Sequence, residues 1–190
     1  MSSRKGGVFE RELARQLSLW WSCGRHDDWF WRSAASGARA TTRAKKGQTT
    51  TGHCGDLAAT CPSADLLIRF ITIEAKRGYN KLSIQDLIDI PNVGKRHEFL
   101  QFIQQASLAA KNARTPWWWL IHRRDKRQAV VWMNFNCWLA LKQILTTEVS
   151  ILSYEYGHPP DTIIGCRLDA FLHALPAVEL RALLRKGLER

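Results

Sequence analysis

The spacing of hydrophobic residues changes from a helical to a strand-like pattern within the first part of the chain. Between Gly7 and Cys23 the apolar side chains recur every three or four residues, which predicts one amphipathic helix that ends near Gly24. Short aromatic or aliphatic runs then predict three strands, at residues 28–34, 56–60 and 66–76. The CPSAD segment before the third strand predicts a turn, and the small, polar and basic residues 35–55 predict a long loop.

The remainder of the chain alternates between helical and strand-like patterns. Helices are predicted near residues 83–90, 95–113 and 135–145, and a pair of strands is predicted at residues 116–123 and 129–134. From about residue 146 the pattern is less regular, and two amphipathic stretches near 166–175 and 177–188 predict a helical tail. The order of these elements predicts an α/β fold with a central mixed sheet flanked by helices. We expect a core domain over residues 1–145 and a helical C-terminal extension over 146–190, packed on the core or at a dimer interface.

Composition narrows the class of protein. With 190 residues, of which 45% are hydrophobic and 24% charged, the chain is long enough for one domain with a sizeable core and is not typical of a disordered protein. Its five cysteines are odd in number, scattered and without a CxxC pair, so we expect reduced thiols. The N-terminus has no apolar signal-peptide segment, and no stretch approaches the ~18 apolar residues of a membrane span, so we expect a cytoplasmic protein.

The net charge of +11 indicates a polyanionic partner, most simply nucleic acid. Positive residues cluster in RATTRAKKG (39–47) and in HRRDKR (122–127). The first cluster lies in the predicted loop, where phosphate contacts are one interpretation and a solvated loop is the other. The second is expected at an exposed hairpin tip, where it either follows a nucleic-acid backbone or keeps the edge of a sheet soluble.

A charged pair interrupts the apolar strand ITIEAKRG. Residues two apart on a strand share a face, so Glu74 and Lys76 project together, while the residues on either side of Glu74 face the core. If the preceding strand is a neighbour, Asp56 lies beside Glu74 at cross-strand distances of ~4.5–5.5 Å. Two carboxylates this close repel each other unless a cation neutralises them, and oxygen ligands suit Mg²⁺. With Lys76 to orient or deprotonate a water, the arrangement predicts metal-assisted phosphodiester hydrolysis.

A further acidic residue lies on the first predicted helix. At 100° per residue, Glu10 falls inside the arc of the apolar side chains, whereas Glu12 falls outside it. A carboxylate on the buried side of a helix needs a partner, and a metal or its bound water would be one. The other interpretation, in which Glu10 reaches solvent at the rim of the apolar stripe, stays open.

Four motifs in this order resemble the PD-(D/E)XK nuclease superfamily. GGVFERELARQL, WRSAASG, GDLAA and IEAK are similar to the first helix, the Arg-Ser element and the two metal-binding motifs of that superfamily. More narrowly, residues 6–78 resemble archaeal-type Holliday junction resolvases and related phage or restriction-like endonucleases. The resemblance covers roughly the first 130 residues. It implies a restriction-endonuclease-like core, which agrees with the predicted order of elements.

The resemblance implies roles for the motif residues. The catalytic residues implied are Glu10, Asp56, Glu74 and Lys76. The metal ligands implied are Asp56, Glu74, Glu10 and the carbonyl of Ala75, binding Mg²⁺ or, as a substitute, Mn²⁺. Expected DNA contacts are Arg32 and Ser33 by resemblance, together with the basic residues Arg39, Arg43, Lys45, Lys46 and Arg77. Two further candidates are His53 in the loop and Gln105 on the later helix, for which an ordinary loop histidine and a surface glutamine are the alternatives.

These features predict a Mg²⁺-dependent DNA endonuclease that is structure-selective in the manner of a Holliday junction resolvase. Two alternatives stay open: a phage or restriction-type nuclease for duplex, flap or single-stranded DNA, and a non-catalytic nucleic-acid-binding module with a nuclease-like fold. The expected partners are DNA, including branched DNA, and a second copy of the chain in a homodimer, with no membrane and no nucleotide cofactor. The resemblance places such a protein in the cytoplasm of a bacterial, archaeal or phage-infected cell, with a role in DNA recombination.

Overall fold

The chain forms a mixed sheet between two layers of helices. The computed structural model describes residues 2–33, 55–82, 84–89, 97–156 and 161–188, so residues 35–54 of the predicted basic loop lie outside it. In chain order the elements are α1 (Ser2–Trp21), β1 (Phe30–Arg32), β2 (Leu57–Ala59), α2 (Pro62–Phe70), β3 (Ile71–Arg77), α3 (Asp86–Asp89), α4 (Glu98–Ala113), β4 (Trp117–Arg123), β5 (Val130–Asn134), α5 (Phe135–Lys142), β6 (Ile151–Tyr156), β7 (Asp161–Arg167), α6 (Leu168–Ala174) and α7 (Ala177–Leu188).

The strand β3 lies at one edge of a five-stranded sheet of order β3-β4-β5-β7-β6. It runs parallel to β4, with Arg77 opposite Arg123, whereas the other neighbouring strands are antiparallel. The strands β1 and β2 form a separate antiparallel ribbon. The carboxyl ends of β3 and β4 therefore coincide, and the other side of β3 is an edge of the sheet. This mixed sheet flanked by helices confirms the predicted α/β, restriction-endonuclease-like fold.

Two hydrophobic clusters, one on each face of the sheet, form the core. Ile73 and Trp119 belong to the cluster that α1, α2, α5, α6 and α7 cover, whereas Trp118 and Leu120 belong to the cluster that α3 and α4 cover. Because helices cover both faces, the first five residues of β3 are all buried. A glutamate in such a strand is exceptional and requires a partner.

The predicted turn at CPSAD and the first part of the predicted third strand are wrong, because residues 62–70 form α2. Pro62 lies in the first turn of this helix, where its missing N–H leaves no hydrogen bond unmade, and Asp65 pairs with Arg69 one turn later. The helix passes directly into β3 at Ile71. A short continuous apolar run does not distinguish a strand from a buried helix, so the boundary between the two is hidden in the sequence.

The region after residue 146 is not wholly helical, which corrects the prediction of a helical tail. The strands β6 and β7 occupy most of residues 151–167, and β7 lies between β5 and β6 in the sheet. Exposed side chains on β6, including Ile151 and Leu152, obscure the alternation expected of a strand. The two helices predicted at the end of the chain are present as α6 and α7. The domain boundary at residue 145 stays a prediction, although β6 and β7 continue the sheet that the earlier strands form.

Candidate active site

Glu74 and Lys76 project from the same face of β3. Lys76 Nζ lies 3.5 Å from Glu74 Oε2, and the Glu74 side chain is only 2% exposed. The alternate residues Ile73 and Ala75 belong to the hydrophobic cluster on the opposite face. The buried carboxylate thus has a cation beside it, in a strand that is otherwise part of the core.

Asp56 reaches this pair along the free edge of β3. Its backbone N–H donates to the Ile73 carbonyl (2.8 Å), and its Oδ2 accepts from the N–H of Ala75 (2.8 Å). The strand β2 pairs with β1 instead of forming a ladder with β3, yet the Asp56 carboxyl is close enough to Glu74 to raise the pKa of that residue. In an extended strand the N–H and C=O of one residue share a side, so the Ala75 carbonyl faces the edge where Asp56 lies.

The turn before Asp56 is held by Gly55 and Ser33. Gly55 has a φ of +96°, and a Cβ at this position would lie 2.6 Å from the Ile73 carbonyl oxygen. The Ser33 hydroxyl donates to the Gly55 carbonyl (2.8 Å), and the Ser33 N–H donates to the Asp56 carbonyl (2.8 Å). Ser33 is 6% exposed. Its contacts therefore stabilise the turn, and the DNA contact expected of it stays a prediction.

Burial and a neighbouring carboxyl group raise the pKa of Glu74. Removal from water is the largest cause that raises the pKa of Glu74 from 4.5 to about 8, the Asp56 carboxyl adds to the rise, and Lys76 opposes it. Two carboxyl groups in such contact retain a proton when no cation is bound. A divalent cation that displaced this proton would neutralise both groups.

Helix α4 holds both charged groups of β3 from one side. Gln105 Nε2 donates to Glu74 Oε2 at 3.2 Å, and the Phe102 ring lies beside Lys76, with Nζ 5.7 Å from the ring centroid. Tyr79 packs edge-on against Phe102. Gln105 is thus an exposed glutamine that also contacts Glu74, and its role at the site stays a prediction.

Glu10 of α1 faces the site, which supports the inward interpretation of this residue. Its side chain is 14% exposed, and Arg32 Nε, on a side chain that is 41% exposed, lies 3.1 Å from Glu10 Oε2. Burial is the first cause that raises the pKa of Glu10, followed by the Asp56 carboxylate. Arg32 and Lys76 oppose this rise. Gly7 leaves room for the guanidinium, because a Cβ there would lie 3.2 Å from Arg32 Nη1.

Arg77, for which the DNA contact stays a prediction, is part of an ion-pair network. Its guanidinium lies 4.0 Å from Glu12 Oε1 and 3.5 Å from Asp125 Oδ1. Arg123 also pairs with Glu12 and covers the Phe9 ring. Local sequence patterns do not predict this network, because Glu12 and Arg123 are 111 residues apart. The remaining predicted residues of this group lie outside the described part of the chain: Arg39, Arg43, Lys45, Lys46 and His53.

The oxygen atoms at the edge of β3 fit a hard divalent cation. Asp56, Glu74 and the carbonyl of Ala75 supply oxygen donors, and Mg²⁺ typically combines one or two carboxylates with water and phosphate oxygens. Among the residues that the structure describes, no three His, Cys, Asp or Glu side chains are grouped to hold a metal ion by themselves. Glu10, which Arg32 engages, faces the same site, and its contact with the metal through a second shell or a second ion stays a prediction.

The metal-free protein is expected to lose stability as the pH rises, because of Glu74. The pKa of this residue is about 8 in the folded state and 4.5 ordinarily, so between these values the folded protein retains a proton that the unfolded chain releases. The stabilisation is complete below about pH 4.5 and is lost as the pH rises through about 8. Glu74→Gln should flatten this part of the profile, which urea unfolding in EDTA between about pH 5 and about pH 9 would measure.

A matched variant and added metal control this measurement. Glu98→Gln changes an exposed glutamate of α4 and should leave the slope as it is in the wild type. Mg²⁺ added near pH 8 should stabilise the wild type more than Glu74→Gln, because the ion takes the place of the proton. A wild-type profile that is flat in EDTA over this range would contradict the buried proton.

One known protein family matches most of the chain. Residues 1–181 match the family model described as "Phage putative PDDEXK endonuclease". No protein with a curated description and no solved structure matches the chain. None of the helices in the described residues is both long and apolar enough to cross a membrane. The matched span contains α1 and β3 together with β6 and β7, so it extends well beyond the four motifs.

Proposed function

The chain belongs to the Phage putative PDDEXK endonuclease family, and from this membership we propose that it is a Mg²⁺-dependent DNA endonuclease that hydrolyses phosphodiester bonds. The observation that carries the proposal is the buried carboxyl pair of Asp56 and Glu74, with Lys76 Nζ 3.5 Å from Glu74 Oε2. Removing two carboxyl groups from water is costly, and apolar side chains of similar size would give a more stable fold. Binding of a cation during catalysis explains why the pair is present.

The proposed ligands are Asp56, Glu74 and the carbonyl of Ala75. Mg²⁺ bound by them would neutralise the carboxylates and act as a Lewis acid toward a DNA phosphate. Gln105 donates to one oxygen of Glu74 at 3.2 Å, so this carboxylate is presented in one orientation. The N–H of Ala75 does the same for Asp56 at 2.8 Å. The protein thus orients both carboxylates before substrate binds.

Lys76 is the residue best placed to act on the attacking water. Its ammonium group lies between Glu74 and the Phe102 ring, which limits the conformations of a long side chain. From this position it orients the water or, as the neutral amine, takes its proton, and as the ammonium it stabilises negative charge that develops on the phosphate. Arg32 is partly exposed beside Glu10 and is available to contact a phosphate oxygen.

Selectivity for branched DNA and action as a homodimer are the finer parts of the proposal. They rest on the similarity of residues 6–78 to Holliday junction resolvases, because resolving a junction requires cuts in two strands. Mn²⁺ is expected to substitute for Mg²⁺, since both ions prefer oxygen ligands in octahedral geometry.

Incubation of the purified chain with a four-way junction, a duplex and a single strand, each in Mg²⁺ and in EDTA, tests the proposal. We expect cutting in Mg²⁺ and none in EDTA, with the junction cut in preference to the other forms. Equal cutting of all three would overturn the structure-selective part and favour a general phage or restriction-type nuclease. Binding without Mg²⁺-dependent cutting of any form would overturn the nuclease and favour the non-catalytic binding module.

A further inference from the structure

A basic turn, residues 124–127, projects beyond the carboxyl ends of β3 and β4. The turn follows Arg123, which is opposite Arg77 in the parallel pair, and Arg77 directly follows Lys76. The turn therefore lies at the same end of the sheet as Lys76, which is near the carboxyl end of β3. It carries three exposed cations: Arg124, Lys126 and Arg127.

The segment after β3 holds the basic turn in one conformation. Asn80 Oδ1 accepts from the N–H of Asp125 (2.8 Å), and Asn80 Nδ2 donates to Asp125 Oδ2 (3.2 Å). Arg77 Nε lies 3.5 Å from the other carboxylate oxygen of Asp125. The one acidic side chain of the turn is thus bound by the protein, while the three cations remain exposed.

Lys126 adopts a backbone conformation that favours glycine. Its φ is +59°, a region that non-glycine residues enter at a cost in stability. A turn that served only to connect two strands would be more stable with Gly or Asn at this position. Glycine is therefore tolerated at residue 126, and Lys126→Gly removes the charged side chain without straining the backbone.

We propose that the basic turn binds backbone phosphates of DNA next to the phosphate that is cut. This inference rests on the proposed nuclease function. It assigns a DNA-binding surface to residues that the structure describes, in addition to the DNA contacts predicted in the basic loop. The turn is adjacent to Arg77, which directly follows Lys76, so its cations are placed to reach phosphates that neighbour the scissile one. Exposed lysine and arginine side chains bind phosphates without regard to base sequence.

Lys126→Gly and Arg114→Gly form a matched pair of variants. Arg114 also has a positive φ (+57°) and is exposed, but it ends α4 before the amino end of β4. The seven residues of β4 separate it from the basic turn by ~20 Å. Each substitution removes one positive charge and one left-handed non-glycine residue, so both variants should remain folded.

Affinity for a duplex is measured by fluorescence anisotropy in EDTA over a range of salt concentrations. We expect Lys126→Gly to weaken binding roughly five- to tenfold near 0.1 M salt and to reduce the slope of log K against log salt by about 0.9, the value for one phosphate contact. Arg114→Gly should bind within about twofold of the wild type. Equal losses in both variants, or no loss in Lys126→Gly, would overturn the proposed contact.

Cleavage of the same duplex by the wild type in Mg²⁺ separates this inference from the proposed function. Cleavage by the wild type together with unchanged affinity in Lys126→Gly overturns the contact alone. Absence of cleavage together with a selective loss of affinity in Lys126→Gly overturns the nuclease and supports the contact. Lys126→Asn, which also removes the charge and tolerates this backbone conformation, repeats the comparison if the glycine variant is unstable.

Discussion

Asp56→Asn is expected to lower the rate of Mg²⁺-dependent DNA cleavage by at least about a hundredfold, while DNA affinity changes by less than about threefold. The substitution removes one of the two carboxylates proposed to hold the ion. Asparagine has nearly the same shape, and its Oδ1 can still accept from the N–H of Ala75, as Asp56 does at 2.8 Å. Residue 56 therefore keeps its position at the edge of β3. The loss of cleavage is then caused by the missing negative charge and not by a change in the fold.

The same variant should make Glu74 a stronger acid. The Asp56 carboxyl is one cause of the raised pKa of Glu74, so its replacement by a neutral amide should lower that pKa. The metal-free variant should then be no less stable than the wild type near pH 8. A urea unfolding curve recorded beside the cleavage assay would separate loss of the metal site from loss of structure.

Asp65→Asn controls for the general effect of removing a carboxylate. Asp65 pairs with Arg69 within α2, and exposed pairs of this kind contribute little, so cleavage should stay within about twofold of the wild type. A fall in the DNA affinity of Asp56→Asn as large as the fall in its cleavage rate would show that Asp56 supports DNA binding or the fold instead of a metal ion.

The parts of the site that lie within one element could be predicted from the sequence. Strand alternation places Glu74 and Lys76 on one face of β3, and the structure has Lys76 Nζ beside the Glu74 carboxylate. The helical period likewise places Glu10 toward the core side of α1, where burial and the Asp56 carboxylate raise its pKa. Periodicity predicts the direction of a side chain but not its partner, which for Glu10 is Arg32.

Contacts between elements distant in sequence could not be predicted in this way. Ser33 and Gly55 are 22 residues apart, and their hydrogen bond depends on the pairing of β1 with β2. Arg77 meets Asp125 because β3 and β4 are parallel and end together. Serine and arginine are suitable both for contacts with DNA and for internal hydrogen bonds, so residue type alone does not separate the two roles.

The errors in the fold have a related cause. The strands β3, β4 and β5 are neighbours in the sheet and carry apolar runs that are recognisable on their own. The strand β6 has mostly exposed side chains, and its place in the sheet depends on its pairing with β7. The apolar residues 66–70 suit either a helix or a strand, and tertiary packing decides between them.

Gly55→Ala is expected to destabilise the protein by about 3 kcal/mol or more and to abolish most cleavage by the molecules that remain folded. Gly55 has a φ of +96°, and an added Cβ would lie 2.6 Å from the oxygen and 3.2 Å from the nitrogen of Ile73. Both are backbone atoms of β3, so neither can rotate away as a side chain would. The clash would disrupt the hydrogen bond in which the Asp56 N–H donates to the Ile73 carbonyl.

Gly78→Ala separates backbone strain from steric overlap. Gly78 has a similar φ (+93°), but nothing lies within 4 Å of an added Cβ, so this variant carries the strain alone, about 1–2 kcal/mol. The difference between the two variants in urea unfolding therefore measures the overlap with β3. Cleavage normalised to the folded fraction should stay within about threefold for Gly78→Ala and be largely lost for Gly55→Ala. Equal stabilities would show that the close approach of Gly55 to Ile73 is unimportant for folding, and full activity in folded Gly55→Ala would show that Asp56 does not depend on it.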